Sequence, residues 1–118
     1  MPQRDEDITD IGDDASEWLF NIPTPLGFFI HTTKQYWEFI ISVKHPIMRG
    51  RLESVIRTLE KPDEIRQSRT DENVFLFYRE GGGFPWICAV VKSRKGTDFL
   101  ILTYPTDKIK KGTLIWKR

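Results

Sequence analysis

The sequence predicts an α+β domain in which an N-terminal strand and two helices pack on a four- to five-stranded antiparallel sheet. Two observations carry this prediction. Apolar residues recur at helical spacing from Thr32 to Leu59, and at strand spacing from Glu64 to the end of the chain. The helices therefore come first and the sheet after them, which is the order typical of α+β folds.

The chain enters the domain through an extended stretch, NIPTPLG, whose prolines disfavour regular structure. The apolar run that follows predicts a strand near residues 27–31. Thr32 and Gln35 then fit a capping box, in which a hydroxyl and an amide satisfy backbone N–H groups at a helix start. One face of this first helix carries Trp37, Ile40, Ile41 and Lys44.

His45 and Pro46 separate the two predicted helices. A proline disfavours helical geometry at the preceding residue, so the first helix should end at His45. Pro46 itself suits the first turn of a second helix. The apolar stripe of that second helix consists of Met48, Leu52, Val55, Ile56 and Leu59.

The second half of the chain predicts an antiparallel meander. Four strand-like runs, EIRQS, NVFLFYRE, WICAVVKS and DFLILTYP, are separated by short turn segments, and TLIWKR adds a fifth at one edge. The central strands are apolar on both faces. One face should therefore take the helices, and the other should meet the N-terminal segment, a partner or a concave site.

Composition predicts a single domain without a membrane span. The 118 residues fit one domain. The single cysteine, Cys88, allows neither a disulfide framework nor zinc spacing, which indicates a reducing compartment. Every apolar run is shorter than the roughly 18 residues of a membrane helix, and the acidic N-terminus does not resemble a secretory signal. We therefore expect a cytoplasmic protein without membrane contact.

Charge divides the chain into an arm and a body. Residues 1–20 hold one Arg and seven Asp or Glu, a net charge of −6, whereas residues 21–118 hold 17 Lys or Arg and ten Asp or Glu, a net charge of +7. We predict a flexible acidic arm over residues 1–20 and a single domain over residues 21–118. A basic body suits a polyanion partner, because each neutralised phosphate releases counterions. The arm is either a solvated tail or a phosphate mimic lying over the basic surface.

The sequence shows no pattern that would bind a metal or a cofactor. Its two histidines, one cysteine and scattered acids show no metal-ligand spacing. The GGGF stretch leads into a strand, whereas a phosphate loop leads into a helix. Nothing in the chain matches a serine elbow or a dinucleotide fingerprint. Any catalysis must therefore use polar side chains alone.

Polar residues at strand ends are the informative ones. Arg66 and Ser68 alternate on one strand and should point the same way. Thr103 and Tyr104 end another strand and should point to opposite faces, and Lys92 should share a face with Trp86, Cys88 and Val90. Together with His45, these groups can cleave RNA without metal. One group takes the 2′-hydroxyl proton, a cation stabilises the phosphoryl oxygens, and an acid protonates the leaving 5′-oxygen.

Several stretches together resemble the phage-type barnase–EndoU–colicin–RelE (BECR) superfamily of small nucleases. They are His45–Pro46, VIRTLEKPDEIRQSR, VFLFYRE, AVVKS, LILTYPTDKIKKG and a final Trp, and they span about residues 43–116. In those domains a helix opens with a histidine, and a TL-x-x-P-x-x-I helix exit leads into an Arg/Ser strand. The resemblance implies a four- or five-stranded antiparallel sheet and metal-independent RNA cleavage, often by a toxin or phage-conflict effector.

The resemblance also implies roles for individual residues. His45 matches the helix-start histidine, which would be the general acid or base. Arg66 and Ser68 match the polar pair of the first meander strand, and Thr103 matches the hydroxyl of the late strand. The residues expected to bind the substrate are Lys92, Tyr104, Arg69 and Lys44. RNA is the expected ligand, with an antitoxin or immunity protein as a further partner.

Each candidate also has a purely structural interpretation. His45 could serve as a helix cap, the two arginines could be solvated edge residues, and the late-strand hydroxyl could be ordinary strand composition. Two other functions stay open beside the ribonuclease. One is a catalytically inactive module that binds a protein or nucleic acid, and the other is a structural domain that forms a homodimer through its apolar second sheet face.

Overall fold

The structure is a computed structural model that describes residues 18–94, 97–109 and 111–118. The predicted acidic arm lies outside the described residues up to residue 17, and its last three residues, 18–20, belong to the first strand. The regular elements, in chain order, are β1 (Trp18–Pro23), β2 (Phe29–Thr33), α1 (Lys34–Phe39), α2 (Leu52–Glu60), β3 (Glu64–Gln67), β4 (Val74–Gly81), β5 (Phe84–Arg94), β6 (Thr97–Thr106) and β7 (Thr113–Lys117).

All seven strands form one mixed sheet in the order β1-β2-β6-β5-β4-β3-β7. β2 runs parallel to β6, where His31 is paired with Phe99, and the other neighbouring strands are antiparallel. The predicted four- to five-stranded antiparallel sheet is therefore wrong. The N-terminal segment folds into a β1–β2 hairpin that extends the sheet beyond β6, with Pro23 as the last paired residue of β1 and Gly27, at a φ of 91°, in the turn.

The first helix begins one residue later than predicted. Thr33 is its N-cap, with the hydroxyl accepting a hydrogen bond from the N–H of Tyr36 at 3.0 Å. Thr32, the predicted cap, is buried in β2. α1 continues into a π-helical turn, Ile40–Lys44, and ends at His45, whose φ of −143° and ψ of 78° are not helical. The predicted helix end before Pro46 is therefore confirmed.

The second predicted helix is divided into two pieces. A 3₁₀ turn, Pro46–Met48, comes first, and α2 starts only at Leu52. Gly50 lies between them with a φ of 81°, which a right-handed helix does not contain. The structure therefore has two short α-helices where the apolar stripe predicted longer ones. Among the described residues, neither helix is long and apolar enough to span a membrane.

The two faces of the sheet carry separate apolar clusters. The larger cluster lies on the helix-facing side and includes Ile65, Phe77 and Ala89 from the strands and Val55 and Leu59 from α2. We call the other side the second face. Its buried residues are Leu76, Tyr78, Cys88 and Val90, and partly buried residues packed against them include Trp86, Tyr104 and Ile109.

A crossover connects two distant strands over the second face. β6 lies in the middle of the sheet, whereas β7 pairs with β3 at its edge. We call residues 107–112 the crossover, of which all but residue 110 are described. Ile109 packs against the apolar cluster of the second face, so the crossover supplies part of the cover that the sequence left unassigned.

Candidate functional site

Two depressions flank the crossover on the second face. The small depression has a volume of about 210 Å³ and is lined by Tyr78, Tyr104, Thr106, Asp107, Lys108 and Lys111. The large depression has a volume of about 480 Å³ and is lined by Ser68, Arg69, Thr70, Val74, Leu76, Lys111 and Gly112. Lys111 lines both depressions, so its position decides how the two are related.

Gly112 and Arg66 hold the crossover against the sheet. Gly112 has a φ of 86°, and a Cβ at this position would lie 2.7 Å from the Gln67 carbonyl oxygen and 3.0 Å from the Arg66 Cβ. The glycine carbonyl accepts a hydrogen bond of 3.2 Å from Arg66 Nη1, while Arg66 Nε donates to Glu64 Oε2. Arg66 is thus a positioning residue, because its guanidinium fixes the segment that carries Lys111.

Two buried residues, Tyr78 and Cys88, and the half-buried Tyr104 form a row across the sheet beneath the small depression. Tyr78 is paired with Cys88, and Cys88 with Tyr104, on neighbouring strands. Their side chains hydrogen-bond to one another. Burial raises the pKa of the Cys88 thiol to about 11 and raises the pKa of both tyrosines well above the usual value. The row therefore stays neutral at physiological pH and provides hydrogen-bonding groups without charge.

His45 lies at one end of this row. Its ring is tilted against the ring of Tyr104, with 5.5 Å between the centroids. The backbone is held on both sides, since the His45 N–H donates to the Ile40 carbonyl at 2.8 Å and the Met48 N–H donates to the His45 carbonyl at 2.9 Å. The half-buried imidazole makes no capping hydrogen bond. The side chain is therefore not a helix cap, although the residue does end a helix.

Ser68 lies in the turn after β3 and borders the large depression. Its Oγ accepts hydrogen bonds from the N–H groups of Thr70 at 3.2 Å and Asp71 at 3.3 Å. These bonds shape the turn that presents Arg69, an exposed residue. Ser68 and Arg69 thus border the large depression, but Ser68 lies after the strand that the sequence predicted for it, and the serine oxygen is already engaged by the backbone.

Lys92 contacts the same turn, and its contact is with Asp71. Its Nζ lies 2.9 Å from Asp71 Oδ2, and Asp71 Oδ1 accepts the N–H of Asn73 at 2.9 Å. The backbone hydrogen bond from Asn73, followed by the one from Lys92, lowers the pKa of the Asp71 carboxyl. Lys92 lines neither depression. It supports the turn through its contact with Asp71.

Thr103 and Lys44 are the predicted site residues that the structure places elsewhere. Thr103 is fully buried, and its hydroxyl donates to the Cys88 carbonyl at 2.9 Å. Because neighbouring strand residues point to opposite faces, Thr103 points away from the second face that Tyr104 occupies. Lys44 is exposed, lines neither depression, and has its Nζ 5.9 Å from the centroid of the Phe39 ring. Neither residue lines the two depressions beside the crossover.

Sequence reasoning missed the residues of the crossover. Thr106, Lys108 and Lys111 line the small depression, and Lys111 also lines the large one. The basic run after β6 was a signal that something there carries charge. Its place over the sheet could not be inferred, because the pairing of β7 with β3 is what draws the run across the second face.

Comparison with known proteins gives no match from which a function could be inferred, so the geometry of the second face is the remaining source of information. No protein-family model matches the chain, no curated protein matches it, and no solved structure matches it. Within residues 18–94, 97–109 and 111–118, no group of three or more His, Cys, Asp or Glu side chains could hold a metal ion. The chemical groups that the second face does bring together are an imidazole, tyrosine hydroxyls and exposed ammonium groups.

Proposed function

We propose that the protein is a metal-independent endoribonuclease whose site lies on the second face, between His45 and Lys111. One observation carries the proposal. The imidazole of His45, which makes no capping hydrogen bond, is packed against Tyr104. Tyr104 lines a depression that also carries the exposed ammonium groups of Lys108 and Lys111. An acid–base group beside cations is the minimum that RNA cleavage through the 2′-hydroxyl needs.

The proposed reaction is a transesterification followed by release of one RNA end. His45 takes the proton of a ribose 2′-hydroxyl, and the 2′-oxygen attacks the adjacent phosphorus. The bond from phosphorus to the 5′-oxygen breaks, and that oxygen takes a proton from the imidazolium or from water. The products are a 2′,3′-cyclic phosphate and a 5′-hydroxyl end. Lys111 stabilises the charge that develops on the phosphoryl oxygens.

The charge of the body supports an RNA substrate. Residues 21–118 carry a net charge of +7, and a cationic surface gains affinity for RNA by releasing counterions. Membership in the BECR superfamily, a cytoplasmic location, a toxin or conflict role and an antitoxin or immunity partner belong to the same proposal. The proposal does not depend on the strand count that the resemblance implied, because its residues are drawn from the second face.

The test is to incubate the purified protein with RNA in EDTA. We expect cleavage that leaves 2′,3′-cyclic phosphate ends, and a fall of roughly 10²-fold or more in His45→Asn, the usual scale for losing a general acid or base. Lys34→Met is the matched control for surface charge, since Lys34 is exposed and lines neither depression. Cleavage abolished by EDTA, 5′-phosphate products, or a fully active His45→Asn would contradict the proposal.

A second candidate is a binding module that does not cleave. The observation in its favour is that Arg66 and Ser68 are engaged in structural hydrogen bonds and Thr103 is buried on the opposite face. Three of the four residues expected to act in catalysis therefore make structural hydrogen bonds. Such a module would retain a fluorescent RNA in an anisotropy assay while leaving it intact over the time in which the ribonuclease would cleave it.

A further inference from the structure

We propose that the ligand is single-stranded RNA bound as a dinucleotide unit, with its bridging phosphate on Lys111, one nucleoside in the large depression and the next in the small depression beside Tyr104. This inference rests on the proposed function. It states how the RNA chain runs through the two depressions on either side of Lys111. The reacting ribose would lie on the His45 side of that phosphate.

The first step in the argument is the shared lysine. Lys111 is exposed and lines both depressions. Among the residues that the structure describes, it forms no ion pair, whereas Arg66 is paired with Glu64 and Lys92 with Asp71. An ammonium group is a compact point charge that suits a phosphate. The group common to both depressions is therefore also one whose charge is free for an anion.

The second step is the alignment of the depressions along β4. Leu76 lines the large depression and Tyr78 the small one. The two residues are two positions apart on one strand, so they point to the same face about 6.8 Å apart. The depressions thus follow each other along the strand beneath the crossover, and a ligand spanning both must pass Lys111.

The third step is the chemistry of the large depression. Val74 and Leu76 provide an apolar floor, Ser68 and Thr70 bring hydroxyls to it, and Arg69 brings an exposed guanidinium. Its volume of about 480 Å³ lies within the range of small-molecule sites. A flat base can pack on the floor or stack on the guanidinium, which accepts any base because every base has a π-face.

The fourth step is the chemistry of the small depression. At about 210 Å³ it is less than half the volume of the large one, and it contains the hydroxyls of Thr106 and Tyr104 beside Lys108. The two hydroxyls match a ribose better than a second deeply inserted base. A paired duplex cannot place one base in the large depression, because its bases face each other inside the helix. The site therefore selects unpaired RNA.

The experiment uses 2′-O-methyl RNA, which lacks the nucleophile and so separates binding from cleavage. Calorimetry is carried out on the full chain with a dinucleoside monophosphate at several salt concentrations. With one phosphate contacted, the slope of log affinity against log salt should be negative, because salt screens the single contact between the ammonium group and the phosphate. Lys111→Met should weaken binding by about tenfold or more and bring the slope close to zero.

Two matched variants make the test specific. Arg69→Met and Lys108→Met each remove a cation that lines only one depression. Both should weaken binding and leave the slope unchanged, because neither cation meets the single phosphate. A slope lost in either of these variants and kept in Lys111→Met would overturn the inference, and so would tighter binding of a duplex than of the single strand.

Failure of the inference and failure of the proposed function are distinguishable. If unmodified RNA is cleaved while Lys111→Met binds the dinucleotide like the parent, the inference is wrong and the ribonuclease proposal stands. If the dinucleotide binds through Lys111 while RNA stays intact, the site is the one inferred and the ribonuclease proposal is wrong. Far-UV circular dichroism of each variant establishes that the exposed substitutions leave the fold in place.

Discussion

The two faces of the sheet are made from the same strands, yet one face forms the apolar core and the other carries the candidate site. On the helix-facing side, Phe77 and Ala89 are fully buried in an apolar core. On the second face, alternate residues of the same strands, together with Tyr104, form a row of two tyrosines and a cysteine beneath the small depression, which exposed lysines border. Because successive side chains of a strand point to opposite faces, the same strands contribute residues both to the core and to the candidate site.

The largest effect should come from breaking the contact between the crossover and the second face. Gly112→Ala forces a side chain into a positive φ and places its Cβ 2.7 Å from the Gln67 carbonyl oxygen. We expect a loss of about 1–3 kcal/mol of unfolding free energy and weaker RNA binding, because Lys111 moves with the crossover. Urea unfolding and anisotropy measure the two effects.

Gly27→Ala is the control for that substitution. Gly27 also has a positive φ, 91°, but no heavy atom lies within 4 Å of its added Cβ. It should lose stability through backbone strain alone and keep the RNA affinity of the parent. Equal losses of RNA affinity in the two variants would show that the crossover has no special role.

The neutral row of the second face predicts a loss of stability at alkaline pH. Burial raises the pKa of Cys88 from 9.0 to about 11, so the thiol ionises in the unfolded chain before it does so in the folded one. The unfolded state then binds fewer protons, and the unfolding free energy falls as pH rises. We expect about 1 kcal/mol for each pH unit between 9 and 11.

Cys88→Ala separates this effect from general alkaline damage. The variant should be less stable than the parent at pH 8 because it leaves a cavity, and its unfolding free energy should decline less steeply between pH 9 and 10. A decline as steep as that of the parent would mean that Cys88 does not cause it. The parent thiol should also resist alkylation at pH 8 until the chain is unfolded.

A smaller effect should distinguish the two neighbours at the end of β6. Thr103→Val removes the hydroxyl that donates to the Cys88 carbonyl, so we expect a loss of about 1 kcal/mol of unfolding free energy. Cleavage or binding per folded molecule should stay at the parent level, because Thr103 points to the helix-facing side. An activity loss beyond the fraction unfolded would return Thr103 to the site.

The smallest effect should come from the turn that borders the large depression. Lys92 and Asp71 are each more than one-third exposed, and such pairs contribute little to stability because water and salt screen them. Lys92→Met should therefore change the unfolding free energy only slightly at pH 7. Titration of Asp71 by NMR should show its pKa move up towards the ordinary value in Lys92→Met while remaining below it, because the Asn73 hydrogen bond persists. An unchanged titration would contradict the assigned pairing.

Local features of the site were predictable and distant ones were not. Pro46 ends the first helix at His45, and alternation places Thr103 and Tyr104 on opposite faces, as expected. Arg66 and Ser68 were predicted on one strand, but Ser68 lies in the turn after it. The hydrogen bond from Arg66 to the Gly112 carbonyl was not predictable, because these two residues are 46 positions apart along the chain.

The sequence by itself determined the helix end at His45 and the alternation of side chains along β4 and β5, because helix breaks and period-two alternation depend on backbone geometry over a few residues. β6 departs from the predicted alternation, since Leu100 packs in the helix-facing cluster and Leu102 in the cluster of the second face, opposite a register shift in β5. The tertiary structure alone decided which strands became neighbours. The β1–β2 hairpin joined β6 in a mixed sheet, and β7 joined β3, so the crossover carried Lys111 over the second face. Strand pairing joins residues far apart along the chain, and nothing in a local pattern states which sheet edge is available.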